Sequence, residues 1–212
     1  MPRQRPDTVH AGKAPVGRPP TMPAPRATIL GAAAKLFAAN GFDGTSLNDV
    51  AQAVGVTKAA VYHYFPTKKD IFDEMVVDLL ERQYLAVGAA ITAAPEPDEK
   101  LKAFMQTQAI FFETNYAAFV VMLHGFGGVE RNHWTDEQLA LRDRFEKLLR
   151  SLLADGKAAG TFAIDDVAIA ARAVLSLMNW MVRWFRPEGE VRAEDFALQY
   201  HSLIVSGLQP RK

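Results

Sequence analysis

Hydrophobic positions recur at helical intervals from residue 26 onward. Ile29, Leu30, Ala33, Leu36 and Phe37 form an i, i+3, i+4, i+7 stripe. Asn40-Gly41 ends it, glycine serving the left-handed position past a helix. Ser46 with Asp49 three residues on has the pattern of a capping box and predicts a second helix, striped by Leu47, Val50, Ala51 and Val54 and closed by Gly55. Thr57 caps a short third helix holding Val61, Tyr64 and Phe65, which Pro66 terminates. Thr67 with Asp70 opens a fourth, carrying Ile71, Met75, Leu79 and Leu80 until Pro95 and Pro97 break it.

Longer helices follow over 98–115, 116–126, 135–156, 165–186 and 193–208. No run alternates with strict period two between turn residues, so strands are not expected, and no internal repeat is visible. The fold class is all-α, about nine helices, with an N-terminal three-helix unit and a larger C-terminal bundle. The expected division is an arm over 1–25, a small helical unit over 26–80 and a second domain over 81–212.

The arm is set apart by composition. It shows no hydrophobic period and holds seven of the 12 prolines. Residues 1–26 carry Arg3, Arg5, Lys13, Arg18 and Arg26 against Asp7, a net +4, although the whole chain balances 24 basic against 24 acidic residues. Such a segment buries too little apolar surface to offset its ordering entropy and reads as disordered. It is either a basic arm lying on anionic DNA, with Gly17-Arg18-Pro19 entering a minor groove, or a solvated tail. Zero net charge excludes a generally basic coat but not a local basic patch. The absence of Cys excludes disulfides, thiolate metal sites and a Cys nucleophile. With no apolar run of transmembrane length and no signal-peptide h-region, a soluble cytoplasmic protein without membrane partners is expected.

No catalytic constellation emerges. The five histidines form no His-Glu-x-x-His pattern, Glu130 and His133 with His124 are a weak metal set, and the glycines at 125, 127 and 128 lack a phosphate-loop Lys. No enzyme, metal or cofactor is expected.

The second and third helices have restrictive spacing. Ala51 is small where two helix backbones must approach, Gly55 supplies a positive φ, and Val61 can plug the crossing. These are the offsets of a helix-turn-helix over about 46–65. By spacing, Val56, Val61, Tyr64 and Phe65 turn inward. Thr57, Lys58, Ala59, Tyr62 and His63 remain on the outer face. Ala59 and Ala60 let a helix lie close to a major groove, Lys58 can reach guanine or phosphate, and Tyr62 and His63 suit phosphate oxygens. Lys68 stands at the positive end of the fourth helix.

The run Thr45-Ser46-Leu47-Asn48-Asp49-Val50-Ala51, then Gly55 to Lys68 with Tyr62-His63-Tyr64-Phe65, resembles the DNA-binding domain of the TetR (tetracycline repressor) family. The resemblance implies double-stranded palindromic operator DNA as partner. It also implies contacts from Ser46, Asn48, Thr57, Lys58, Ala59, Ala60, Tyr62, His63, Tyr64 and Lys68. It makes the Tyr64 hydroxyl a phosphate ligand, so its ring is expected to be only partly buried.

The helix over 165–186 is apolar almost all round, as one buried on two sides should be, and Phe196, Tyr200, Leu203, Ile204 and Gly207 mark its partner. Two such hairpins make a four-helix seam, so a homodimer is expected, as TetR-like proteins form. Within this helix Asn179 aligns with Arg183, and Trp180 with Trp184. Two readings stand, a ligand-pocket wall and a dimer contact. Together with Arg142-Asp143-Arg144 and Gly156 to Phe162, the segment is similar to TetR regulators that sense acyl-CoA thioesters. That similarity implies an acyl-CoA effector. Ligand candidates are Phe111, Phe119, Met122, Arg142, Asn179, Trp180 and Arg183, the arginines facing phosphates. The expectation is a ligand-released repressor. The alternatives are an efflux regulator answering to drugs or small aromatics, and a ligand-independent dimeric DNA-binding protein.

Overall fold

A computed structural model describes residues 24–124 and 134–208, and every described regular element is helical. They are α1 (Pro25–Asn40), α2 (Leu47–Ala53), α3 (Lys58–Tyr64), α4 (Lys68–Ala93), α5 (Pro97–Thr114), α6 (Tyr116–His124), α7 (Asp136–Ala158), α8 (Val167–Trp180) and α9 (Ala193–Leu208).

Local chemistry sets the starts. Ser46, Thr67 and Thr135 each accept from the backbone N–H three residues on, and Asp49, Asp70 and Gln138 accept from the cap's own N–H in return. Gln138 does more. Its fully buried side chain also donates to the Asp73 carbonyl at 3.3 Å, tying α7 to α4. Thr45 plugs the end of α1, its hydroxyl donating to the Gly41 carbonyl at 2.9 Å.

One continuous core runs through the molecule. Ile29, Ala33 and Phe37 of α1 share a core with Val50 of α2, Val61 of α3 and Phe65 just past it, and Ile71, Met75 and Leu79 carry the core along α4 into the larger bundle. There α5 packs between α4, α7 and α9. Gly156 marks a tight approach near the end of α7. A Cβ there would lie 2.3 Å from a ring carbon of Phe162.

The expected helix over 165–186 is shorter than its hydrophobic pattern. Asp166 caps it, α8 ends at Trp180, and a 3-10 turn over Met181–Arg183 follows. The tighter turn still buries Met181, Val182 and Phe185, so the apolar pattern continues while the α-helix does not. Phe126, the arm at 1–23 with Gly17-Arg18-Pro19, and the Glu130/His133 pair lie outside the described residues.

Candidate functional site

The α2–α3 crossing has the predicted parts. Ala51 and Val61 are buried, Gly55 has φ +72°, and the Val56 N–H donates to the Ala51 carbonyl at 3.0 Å across the turn. Phe65 is also buried, while Val56 and Tyr64 pack half-buried against the core. Thr57, Lys58, Ala59, Tyr62 and His63 are exposed along one face of α3, and Ala60 is half-buried beside them. Thr57 caps α3 by accepting from the Ala60 N–H at 3.2 Å. The Lys58 ammonium lies 5.3 Å over the Tyr62 ring, which keeps both on the outside. Ser46 and Asn48 are exposed at the start of α2. The Ser46 hydroxyl is engaged there, donating to Asp49 Oδ2 at 2.7 Å. That bond, then the backbone bond from Ser46, holds the Asp49 carboxyl below its ordinary pKa.

Lys68, at the start of α4, also has a contact inside its own chain. Its ammonium donates to the Phe42 carbonyl and sits 4.3 Å over the Phe42 ring, so it closes the loop between α1 and α2. Arg26 is likewise committed. It pairs with Glu74 of α4, donates to the Tyr64 carbonyl at 3.3 Å and lies 4.6 Å over the Phe65 ring. Nothing local in the sequence marks either contact, because the partners lie 26 and 48 residues away.

The proposed ligand residues do not form one site. Phe111 and Phe119 meet edge to face at 6.1 Å, and Met122 is buried on the same helix as Phe119. Phe112 joins Phe119 at 5.5 Å and Phe185 at 5.3 Å, with Tyr116 packed against both Phe112 and Phe185. Arg142 lies elsewhere on α7, 5.5 Å over the Trp134 ring and 3.7 Å from Asp143. Asn179, Trp180 and Arg183 are exposed at the end of α8, so they do not wall an interior of this chain. Arg183 stacks on Trp180 at 5.1 Å. The sequence left two readings open for this segment, a pocket wall and a dimer contact. Here Ile169, Leu177 and Trp180 stand exposed on α8, Trp184 just past the 3-10 turn, and Leu203 on α9.

Sequence reasoning missed two buried glutamines, Gln83 and Gln108, and Tyr116 of the aromatic cluster. A polar residue inside an apolar stripe was the available signal. An open space of about 660 Å³ lies between α1, α4 and the α5–α6 junction, bordered by Leu30, Gly31, Met75, Asp78, Arg82 and Tyr116. Among the described residues no group of three or more His, Asp or Glu could hold a metal ion, and no helix is long and apolar enough to cross a membrane.

Residues 94–208 match the family model of the tetracyclin repressor-like C-terminal domain, and residues 29–75 match that of bacterial regulatory proteins of the tetR family. The HTH-type transcriptional repressor KstR2 of Rhodococcus jostii is 27% identical over 184 residues, covering 86% of this chain and 90% of the relative. Among solved structures, the TetR family transcriptional regulator PfmR of Thermus thermophilus superposes with a TM-score of 0.78 at 45% identity, covering 86% of this chain and 99% of its own. AibR, solved in complex with isovaleryl coenzyme A and operator DNA, shares the fold at a TM-score of 0.72 and 21% identity, over 84% of this chain and 96% of its own. One family model spans more than half of the chain and a second covers its N-terminal helices, so the chain belongs to the TetR family and is a transcriptional regulator, not an enzyme.

Proposed function

We propose that this chain is a dimeric repressor whose residues 26–80 read a palindromic operator and whose residues 81–212 join the subunits and take up a small effector. The reading rests on the outer face of α3. There Thr57, Lys58, Ala59, Tyr62 and His63 are exposed on one face, directly after the turn that follows α2. One such helix reads one half-site, so a palindrome requires two copies. The apolar residues left bare on α8 and α9 supply the surface for the second copy. Bound effector releases the DNA by favouring a conformer in which the two α3 helices no longer match the half-site spacing of ~34–36 Å.

An acyl-CoA is the favoured effector. The aromatic cluster of Phe111, Phe112, Phe119 and Phe185 suits an apolar acyl group. AibR, of the same fold, binds a short-chain acyl-CoA. One observation favours a second reading, an uncharged aromatic effector. Arg142, Arg144 and Arg183 each already lie over an aromatic ring, Trp134, Tyr84 and Trp180 respectively, and do not converge on the cluster. A thermal-shift screen of acyl-CoAs and small aromatics, followed by a DNA-shift assay with each hit, decides between them. Release by an acyl-CoA supports the first reading. Release only by uncharged aromatics establishes the second. If no compound binds, the bundle serves dimerisation alone.

A further inference from the structure

The interior of the larger bundle contains a polar group that the packing does not satisfy. Gln108 is 3% exposed on α5, and its Oε1 has no hydrogen-bond partner. A buried, unpaired carbonyl costs free energy, and natural cores seldom retain one without a use. The other buried residues of its own helix are apolar. Along α5 the buried face runs through Leu101, Phe104, Met105, Ala109 and Phe112, and Phe112 belongs to the aromatic cluster.

A second glutamine stands at the same depth. Gln83 of α4 is also 3% exposed. It lies ten residues before the end of α4, and Gln108 eleven after the start of α5. The two helices form an antiparallel hairpin with a short turn. At 1.5 Å per residue both glutamines are therefore about 15–17 Å from that turn, at one level of the bundle. A glutamine amide offers both an acceptor and two donors. A hydroxyl both donates and accepts, so one hydroxyl can serve a carbonyl and an amide N–H together.

We infer that Gln108, with Gln83 at the same level, is the polar anchor of the effector site and selects an apolar effector carrying a hydroxyl group over its deoxy counterpart. This rests on the effector-binding reading above and adds the chemistry that the effector must carry. The hydroxyl donates to Gln108 Oε1 and accepts from the Gln83 amide, while the rest of the molecule lies against Phe112, Phe119 and Phe185. A buried structural water would satisfy the same groups, and the test separates the two.

The test uses the full-length dimer, the variants Gln108→Leu and Gln83→Leu, and two matched probe pairs, 3-hydroxyoctanoyl-CoA with octanoyl-CoA and 4-propylphenol with propylbenzene. Calorimetric titration measures affinity, and thermal unfolding without ligand measures the apo protein. Wild type should bind the hydroxylated member of whichever pair it accepts about tenfold more tightly, a typical worth for one buried hydrogen bond. Gln108→Leu should bind the deoxy member at least as well, lose the preference, and unfold no earlier than wild type. Gln83→Leu should reduce the preference as well. Equal binding of both members by wild type overturns the inference and leaves the effector reading intact. A preference that persists in Gln108→Leu overturns it too, and an unfolding midpoint well below wild type in that variant then points to the structural water. If neither pair binds, the small-effector reading fails and this inference fails with it.

Discussion

Arg26 and Glu74 meet face to face, the guanidinium Nε donating to the Glu74 carboxylate at 2.8 Å with a second nitrogen on the other oxygen. The same guanidinium holds the last carbonyl of α3 and covers Phe65. One side chain of α1 thus fixes the recognition helix to α4, the helix that continues into the larger bundle. Because the arginine is half exposed, the pair itself contributes little to stability, on the order of 0.2–1 kcal/mol. Arg26→Met should therefore leave the unfolding midpoint almost unchanged. It should weaken binding to a DNA site obtained by in vitro selection, because α3 loses its tether. Undiminished affinity in a fluorescence-anisotropy titration would disprove the tether.

The DNA face makes a contrast between two cations and a phenol. Tyr62 and Lys58 stand free on the outside, whereas Lys68 is bonded to the Phe42 carbonyl. Tyr62→Phe should lower affinity for all sequences alike by removing a phosphate contact, with no loss of stability. Lys58→Ala should relax preference at one base position or reduce the salt dependence by about one phosphate. Lys68→Ala should destabilise the fold as well as weaken DNA binding, because it opens the α1–α2 loop. Melting curves and salt-dependent titrations together separate the three.

Much of this arrangement is legible in the sequence where the cause is local. Ser46 with Asp49, Thr67 with Asp70 and Thr135 with Gln138 are read correctly because both partners of each cap lie within one turn. Gly55 and Val61 are legible because the helix-turn-helix spans barely 20 residues. The failures involve distance in sequence or a second chain. Met181, Val182 and Phe185 keep a helical hydrophobic rhythm through a 3-10 turn, so the pattern overran the end of α8 at Trp180. For Asn179 and Arg183 a pocket wall and a dimer contact stayed equally open, because an apolar helix does not reveal which of its faces its own chain leaves bare.

That bare face gives a prediction about assembly. Leu203 is 71% exposed, so a charge there meets water in the single chain. Leu203→Glu should fold with wild-type helicity yet sediment as a monomer and lose DNA affinity, since an unpaired carboxylate in an apolar seam costs several kcal/mol. A dimeric Leu203→Glu would remove α9 from the subunit contact.

Acid should loosen the helix starts. The Asp166 carboxylate accepts from the backbone N–H groups of Ile169 and Ala168, and Asp49 from Ser46, so both have folded pKa values below the ordinary value. Their stabilisation is complete above the unfolded Asp value of ~3.9 and is lost as pH falls through the lower folded values. The melting temperature should therefore drop between about pH 5 and about pH 2. Asp166→Asn, which keeps a capping side chain without the charge, should show a shallower drop. An identical pH profile would dissociate the Asp166 cap from the acid response.

Trp180 and Trp184 have one further consequence. They are 56% and 62% exposed, and they are two of only three tryptophans, the third lying under Arg142 near the start of α7. The intrinsic emission of this protein is therefore governed by whatever covers the end of α8. If the subunits meet through this face, dilution should red-shift the emission of the two indoles and raise their quenching by iodide. A shift in tryptophan emission is therefore first of all a report on what lies against Trp180 and Trp184.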